Sequence, residues 1–291
     1  MSGNTLIPAG MFGEQYAEDV AFLIKPKKIL GEVVSKFQKS TIVETETLGR
    51  VTFQDGLIYI ADKGSEAICE IYTHVPMQTG KPKKKILLIG AGDGLGVGRL
   101  LDYPSIEKVV AIDIDKDFVE LADKVIPEGA KFKKDPRVEF LNIDGAEYVK
   151  NTKEKFDFIL ITVGDPYTIS QTMFNENFIK DVYVHLSDDG IFCIDGFMPY
   201  YTNPEVLNYW DIFKLVASSF PITRITNSTS PVMPGGLVTF VIGSKKDDPT
   251  KGARGDLPVK TVWYNYDIHK ACFVLPQFIR EKLVGLKGFE Q

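Results

Sequence analysis

Six continuous apolar runs constrain the fold of this 291-residue chain more than any other feature of its sequence. The runs lie at 86–90, 108–113, 138–143, 156–162, 190–195 and 237–243. Strands that are buried on both faces of a sheet have this texture. Amphipathic stretches separate several of the runs, at 94–103, 116–125, 172–186 and 204–218. Strand and helix in alternation indicate an α/β protein whose parallel, Rossmann-like sheet is covered by helices.

The region before these runs has a different pattern. Between Lys36 and Asp62, strand-forming residues are interrupted at Leu48-Gly49 and Asp55-Gly56, and Asp-Gly between apolar runs is a strong hairpin signal. We therefore predict a small antiparallel sheet, followed by a helix over 66–77. This gives two domains, an N-terminal β-sheet domain with a linking helix over 1–78 and a Rossmann-like domain over 79–291. The segment 264–286 is expected to pack back on the larger sheet.

Composition excludes several classes of protein. The formal net charge of -5 argues against a nucleic-acid binder, which normally carries a basic surplus. No apolar run approaches the roughly 18 residues needed to span a bilayer, and no signal-peptide pattern is present, so we expect a cytoplasmic protein without a membrane partner. Three scattered cysteines and three scattered histidines predict neither a disulfide framework nor a metal site.

A glycine-rich turn, Gly90-Ala91-Gly92-Asp93-Gly94, directly follows the first apolar run. Glycines there let the backbone approach a ligand at the carboxyl end of a strand. Asp113 ends the next run, where an acid can accept hydrogen bonds from both ribose hydroxyls of a nucleoside. Asp144 follows the third run and can accept from an adenine amine. A dinucleotide fingerprint fits poorly, because its third position falls on Leu95, so the spacing favours an S-adenosylmethionine-type site.

These residues belong to an ordered set of motifs that resembles the spermidine synthase (polyamine aminopropyltransferase) family over nearly the whole chain. The family's Gly-Gly-Gly-Asp-Gly turn appears as residues 90–94, its Glu-Ile-Asp as Asp113-Ile114-Asp115, and its Asp-Gly-Ala as Asp144-Gly145-Ala146. Further matches are Asp135-Pro136-Arg137-Val138, Asp165-Pro166, Met173-Phe174 and the C-terminal segment 264–276. The resemblance implies the S-adenosylmethionine-dependent methyltransferase fold with a small N-terminal antiparallel domain, aminopropyl transfer, and a homodimer or homotetramer.

The resemblance also assigns roles to individual residues. The donor, S-adenosylmethionine or its decarboxylated form, would act as a co-substrate without a metal and would be bound by Gln38, Gly90, Gly92, Asp93, Gly94, Asp113, Ile114, Asp144 and Gly145. The amine acceptor would be bound by Ile68, Glu70, Tyr167 and Met233. Asp165 would take the proton from the amine or orient it, and Asp195 is the second candidate. Thr162 completes the predicted catalytic group.

Four positions depart from the family pattern, and one of them is Asp195, which aligns with the Gln that ends the family's next strand. The catalytic segment Asp-Ser-Ser-Asp-Pro reads Thr-Val-Gly-Asp-Pro here, so Thr162 replaces the acid that should hold the attacking amine. Ile68 and Met233 replace two tyrosines. Burying an unpaired ammonium costs several kcal/mol. We therefore expect an amine acceptor other than putrescine.

Two alternatives to aminopropyl transfer stay open. Thr162 leaves room for the carboxylate of intact S-adenosylmethionine, which a second acid would repel by roughly 1 kcal/mol. This would suit an S-adenosylmethionine-dependent N-methyltransferase. The other alternative is a non-catalytic homologue that retains the nucleoside site.

Overall fold

The computed structural model describes residues 7–15, 19–164, 169–200, 207–251 and 257–289. The strands are β1 (Phe12–Gln15), β2 (Ala21–Ile24), β3 (Lys28–Val34), β4 (Lys39–Thr45), β5 (Gly49–Gln54), β6 (Leu57–Ala61), β7 (Lys85–Ile89), β8 (Lys108–Ile112), β9 (Val138–Leu141), β10 (Phe156–Ile161), β11 (Leu186–Phe197), β12 (Ile222–Thr229) and β13 (Leu237–Ser244). The helices are α1 (Glu66–Gln78), α2 (Leu95–Leu101), α3 (Lys116–Val125), α4 (Pro127–Phe132), α5 (Gly145–Asn151), α6 (Glu176–His185), α7 (Tyr209–Ser219), α8 (Tyr266–Ala271) and α9 (Gln277–Leu283).

The larger sheet has the order β12-β13-β11-β10-β7-β8-β9. Strands β7 to β11 are parallel, as predicted, whereas β13 is antiparallel to both β11 and β12. A parallel arrangement for 237–243 is therefore wrong, and β12 was not predicted. A parallel crossover needs a dozen or more residues, and only 230–236 join β12 to β13. An apolar run by itself does not reveal strand direction.

The N-terminal region forms two small sheets. Strands β3 to β6 make the predicted antiparallel sheet, and β5 and β6 are joined by the predicted Asp55-Gly56 turn. Strands β1 and β2 pair with each other in a stretch whose sequence shows no clear period. The domain boundary at residue 78 stays a prediction.

Helix α1 joins the small sheet to the larger one, and its packing places the site. Ile68 and Ile71 belong to one buried cluster with Leu88 of β7 and Leu160 of β10. The first half of α1 therefore lies against the larger sheet. On the opposite face, α9 contributes to a second buried cluster through Ile279 and Leu283, so the C-terminal segment packs back as predicted. Among the described residues, no helix is long and apolar enough to cross a membrane.

Candidate active site

The glycine turn between β7 and α2 is held tightly against the end of β10. Gly90 has φ +92°, and a Cβ built on it would lie 2.1 Å from the carbonyl oxygen of Thr162. The backbone N–H groups of Gly90 and Ala91 both donate to the carbonyl of Ile112, at 2.9 and 3.0 Å. Glycine at position 90 is therefore required both by backbone conformation and by space.

Gly92 and Gly94 serve packing rather than the lining of the cavity. A Cβ on Gly92 would lie 2.6 Å from the Asp113 carboxylate, and one on Gly94 would lie 2.4 Å from the Gly129 carbonyl oxygen. Neither glycine is among the described residues that line the cavity at this edge of the sheet. These two glycines therefore affect a ligand through the shape that they give to the turn.

The other predicted donor residues all line that cavity, and we call this set the donor wall. The residues of this wall are Gln38, Gly90, Asp93, Asp113, Ile114, Asp144 and Gly145. Partial burial raises the pKa of Asp113 from its ordinary value to about 6, although the carboxylate accepts hydrogen bonds from the backbone N–H groups of Asp115 and Gly92. Burial also raises the pKa of Asp93, whose Oδ1 accepts from the Leu95 N–H at 2.9 Å.

Two predicted donor residues already have partners within the protein. Asp144 caps α5, and its Oδ1 accepts from the N–H groups of Ala146 and Glu147 at 2.8 and 3.2 Å, so the cap does not use its Oδ2. Gln38 Nε2 donates to Oδ2 of Asp115 at 3.1 Å, which leaves the Gln38 amide oxygen outside that contact. Each side chain is therefore held in one orientation before a ligand arrives.

A buried lysine supports the turn from the side of α4. Lys133 Nζ donates to the carbonyl of Gly92 at 2.7 Å and forms a salt bridge with Asp123 at 2.7 Å. The sequence reasoning did not identify this residue, because a lysine two positions before Asp135-Pro136 has the appearance of a surface charge. Lys133 therefore holds the backbone of the glycine turn in place at Gly92.

Apart from Glu70, the predicted acceptor residues that the structure describes line the same cavity, and we call this set the acceptor wall. Thr162, Asp195, Ile68 and Met233 all line the cavity. Thr162 Oγ1 donates to the Gly90 carbonyl at 3.2 Å, so this side chain bonds the glycine turn. Asp195 Oδ1 accepts from the N–H of Phe197 at 2.6 Å, beside a register shift between β11 and β13. Asp165 and Tyr167 lie outside the described residues.

Several aromatic and apolar side chains of the cavity lining were not predicted. They are Tyr59, Tyr72, Phe197, Met198, Val238 and Phe240. The Tyr59 hydroxyl donates to the Thr162 carbonyl at 3.0 Å, and partial burial raises the pKa of its phenol. These residues lie within or beside ordinary strands and helices, where a sequence does not separate core from cavity. In the sequence, only residues at the end of a strand beside a glycine turn can be recognised as site residues.

Glu70 does not support its predicted role in binding the acceptor. It is buried and is not among the described residues that line the cavity. Its carboxylate accepts hydrogen bonds from three consecutive backbone N–H groups, those of Val262, Trp263 and Tyr264, at 2.9, 2.9 and 2.7 Å. A carboxylate used in this way attaches the C-terminal segment to α1 instead of binding an amine.

Replacing Glu70 with Gln should destabilise the fold without weakening donor binding. A glutamine offers one acceptor oxygen and turns an N–H₂ group towards N–H donors, so we expect a loss of about 2–3 kcal/mol in the free energy of unfolding. Urea denaturation measures this loss, and calorimetry with methylthioadenosine measures binding. The matched control is Glu120→Gln, since Glu120 forms only an exposed pair with Lys116. Unchanged stability together with weaker ligand binding would show that Glu70 belongs to the substrate site.

The charged side chains in the described lining of the cavity are all acidic. Its described lining contains six carboxylates and no lysine or arginine; the acids are Glu14, Asp55, Asp93, Asp113, Asp144 and Asp195. Carboxylates gathered in a partly closed cavity favour a cationic ligand. Apolar residues make up much of the rest of the lining, so a ligand that combines a positive charge with an aromatic ring and alkyl chains fits best.

Known proteins of the same architecture were found by three comparisons. A family model described as "Spermine/spermidine synthase domain" matches residues 66–251. The polyamine aminopropyltransferase of Clostridium kluyveri is 35% identical over 269 residues, which cover 92% of this chain and 97% of that protein. That of Thermoanaerobacter sp. is 35% identical over 271 residues, covering 93% and 97%.

Solved structures agree with the sequence relatives. A crystal structure of spermidine synthase in complex with the transition-state analogue AdoDATO superposes with a TM-score of 0.86 at 29% identity, covering 94% of each chain. The spermidine synthase of Thermotoga maritima gives 0.85, with the same identity and coverage. The predicted resemblance, fold class and transferase class are therefore confirmed: the chain is a transferase that belongs to the spermine/spermidine synthase family.

Proposed function

We propose that this enzyme transfers an alkyl group, in the leading case aminopropyl, from decarboxylated S-adenosylmethionine to an amine acceptor other than putrescine. The observation that carries this proposal is the contrast between the two walls of one cavity. The donor wall keeps its acids, whereas on the acceptor wall Thr162, Ile68 and Met233 supply no charge and Asp195 is the one described carboxylate. Aminopropyl transfer is also what the names of the curated relatives describe.

The donor wall suits a sulfonium nucleoside. Asp113 stands at the carboxyl end of β8, where its carboxylate would accept from the two ribose hydroxyls. Asp144 would accept from the adenine amine, and Asp93 would face the positive charge of the transferred arm. A spermidine synthase that superposes with a TM-score of 0.86 was crystallised in complex with the transition-state analogue AdoDATO, which supports a ligand-binding role for this fold.

The reaction requires little covalent chemistry from the protein. The lone pair of a neutral amine attacks the carbon next to the sulfonium; the new N–C bond forms as the C–S bond breaks, and its electron pair stays on the sulfur as a neutral thioether. The amine nitrogen then loses a proton to a carboxylate. Asp195 is the described acid on the acceptor wall, and Asp165 remains the first candidate from the sequence. Positioning and exclusion of water supply most of the rate.

The acceptor wall disfavours a diamine. A second ammonium that leaves water needs a second carboxylate or several hydrogen-bond acceptors, and Asp195 is the one described carboxylate of this wall. Thr162 offers a hydroxyl that already donates to the Gly90 carbonyl. Ile68, Val238 and Phe240 add apolar surface around it. An amine with an uncharged or apolar body therefore fits this wall better than putrescine does.

Calorimetry and product analysis test the proposal. Purified protein is titrated with methylthioadenosine, decarboxylated S-adenosylmethionine and S-adenosylmethionine, and then incubated with a panel of amines. Methylthioadenosine as the by-product supports transfer of the aminopropyl chain, whereas S-adenosylhomocysteine identifies the methyl-transfer alternative favoured by the uncharged Thr162. Binding of none of the three nucleosides would overturn the proposal and leave a protein without a donor site.

Replacing Thr162 with Asp should raise the affinity for putrescine about tenfold. The carboxylate would supply the missing counter-charge, an effect of about 1–2 kcal/mol for a partly exposed pair. The measurement is the KM or Kd for putrescine in the presence of donor, and the matched control is Thr162→Asn, which has the same shape without the charge. If Asn and Asp behave alike, Thr162 does not control acceptor choice.

The remaining predictions concern the oligomeric state of the enzyme and its location in the cell. We propose, from the family resemblance, that the enzyme works as a homodimer or homotetramer in the cytoplasm. Light scattering of the purified protein tests the first part directly, and a monomer at all concentrations would contradict it.

A further inference from the structure

Phe197 has a backbone conformation that a large side chain rarely adopts. Its φ is +61°, in the left-handed region, at the end of β11. Among the described residues, the only other non-glycine residue with a positive φ is Asp55, and an aspartate in a turn tolerates this region. A phenylalanine at such a φ costs free energy that glycine or asparagine would avoid. Strain of this kind is concentrated at functional sites, where surrounding contacts hold it.

The contacts around Phe197 hold it in this conformation. Its backbone N–H donates to Asp195 Oδ1 at 2.6 Å, and its carbonyl accepts from the hydroxyl of the buried Thr239 at 2.9 Å. Its ring packs against that of Phe174, with the two ring centroids 5.6 Å apart. Phe174 is buried and is not among the described residues that line the cavity, so it supports the Phe197 ring from the side of the core.

Phe197 brings apolar surface to the carboxylate of the acceptor wall. Together with Met198, Val238 and Phe240, it lines the same cavity as Asp195. Asp195 is the register partner of Phe240 across β11 and β13, so these apolar side chains surround the point where β11 enters the cavity. An amine whose nitrogen lies at Asp195 therefore has its carbon body next to apolar groups.

We propose that Phe197 selects the acceptor by its carbon body: the ring packs against the chain of an amine whose nitrogen lies at Asp195. The inference rests on the proposed function and names the acceptor class, a primary monoamine with an extended apolar body. Each methylene buried against an apolar surface is favourable, whereas a second ammonium at the far end would have to leave water. Glycine or asparagine at position 197 would relieve the backbone strain but would remove this surface.

Calorimetry with butylamine, hexylamine and octylamine, on protein saturated with methylthioadenosine, tests the inference. We expect each added pair of methylenes to tighten binding to the wild-type protein about fivefold. Phe197→Asn suits a positive φ but has no ring, and it should reduce this factor to about twofold or less. Phe197→Leu is the matched apolar control and should keep a factor of about threefold. The ratio between amines is the readout, because a displaced Asp195 would weaken all three equally.

A diamine of matched length tests the acceptor class. In the wild-type protein, 1,6-diaminohexane should bind at least about fivefold more weakly than hexylamine, because its second ammonium loses water without gaining a new partner. Tighter binding of the diamine would overturn the monoamine class that we propose.

Two further results would overturn the inference. One is equal affinity of the wild-type protein for the three monoamines, a result that needs no variant and holds even if Phe197→Asn fails to fold. The other is the same dependence on chain length in Phe197→Asn and in the wild-type protein. Unchanged binding of methylthioadenosine shows that a variant keeps the donor site. Failure of the proposed function is distinguishable, since the wild-type protein would then not bind methylthioadenosine at all, and the inference would fall with it.

Discussion

Replacing Asp113 with Asn should weaken the binding of methylthioadenosine about 100-fold. The ribose hydroxyls would lose a charged acceptor, and a hydrogen bond to a charged group contributes about 1.5–3 kcal/mol. The asparagine would also turn an N–H₂ group towards hydroxyl donors or towards the N–H of Asp115, which now donates to the carboxylate at 2.9 Å. Calorimetry at pH 7.5 measures the change in Kd.

The pH dependence of the same binding checks that the ionised form of Asp113 is responsible. Partial burial raises the pKa of Asp113 to about 6 in the free protein. Hydroxyl donors favour the charged carboxylate, so affinity should rise as the pH increases through 6 and level off above 7. At pH 5 the wild-type protein should bind about tenfold more weakly than at pH 7.5. The matched control is Asp113→Asn, which should not show this inflection. Equal affinity of the wild-type protein and the variant would remove Asp113 from the donor site.

Replacing Gly90 with Ala should abolish donor binding and lower the free energy of unfolding by about 3 kcal/mol or more. Two causes add: a positive φ of +92° and a Cβ only 2.1 Å from the Thr162 carbonyl oxygen. The second cause involves backbone on both sides, so no side chain can rotate to make room. Thermal unfolding measures the loss of stability, and titration with methylthioadenosine measures the loss of binding.

Gly56 provides the matched control for Gly90. It also has a positive φ, +86°, in the β5–β6 turn, but an added Cβ would meet nothing within 4 Å. Gly56→Ala should therefore lower the free energy of unfolding by about 1 kcal/mol, through the backbone conformation alone, and leave ligand binding unchanged. If the two variants were equally stable and both bound the nucleoside, the close approach of the glycine turn to β10 would have no functional meaning.

The sequence predicts the donor wall well because its signals lie at the ends of strands. A buried apolar run, a glycine turn and an acid at the end of the next run can all be recognised from the sequence alone. In the structure, Gly90, Asp113 and Asp144 all line the cavity, as expected. The direction of β13 was not predictable, because the same apolar run suits a parallel or an antiparallel neighbour. The direction follows instead from the short connection after β12.

The acceptor wall was predictable only in part. Thr162 and Met233 stand out because they replace family residues, whereas Tyr72 and Phe240 look like ordinary core side chains until the fold brings them to one cavity. Glu70 shows the converse case. A family motif marked it for the substrate, but its partners are backbone N–H groups almost 200 positions away, which no local pattern reveals.

The hydrogen bond from Tyr59 to the Thr162 carbonyl has a consequence for protein engineering. It ties a hairpin of the small N-terminal sheet to Thr162, the residue that we propose to control acceptor choice. An exchange of the larger sheet alone between two homologues would break that tie and leave a phenol without its acceptor. Chimeras intended to move amine selectivity should therefore carry the β5–β6 hairpin together with the strand that ends at Thr162.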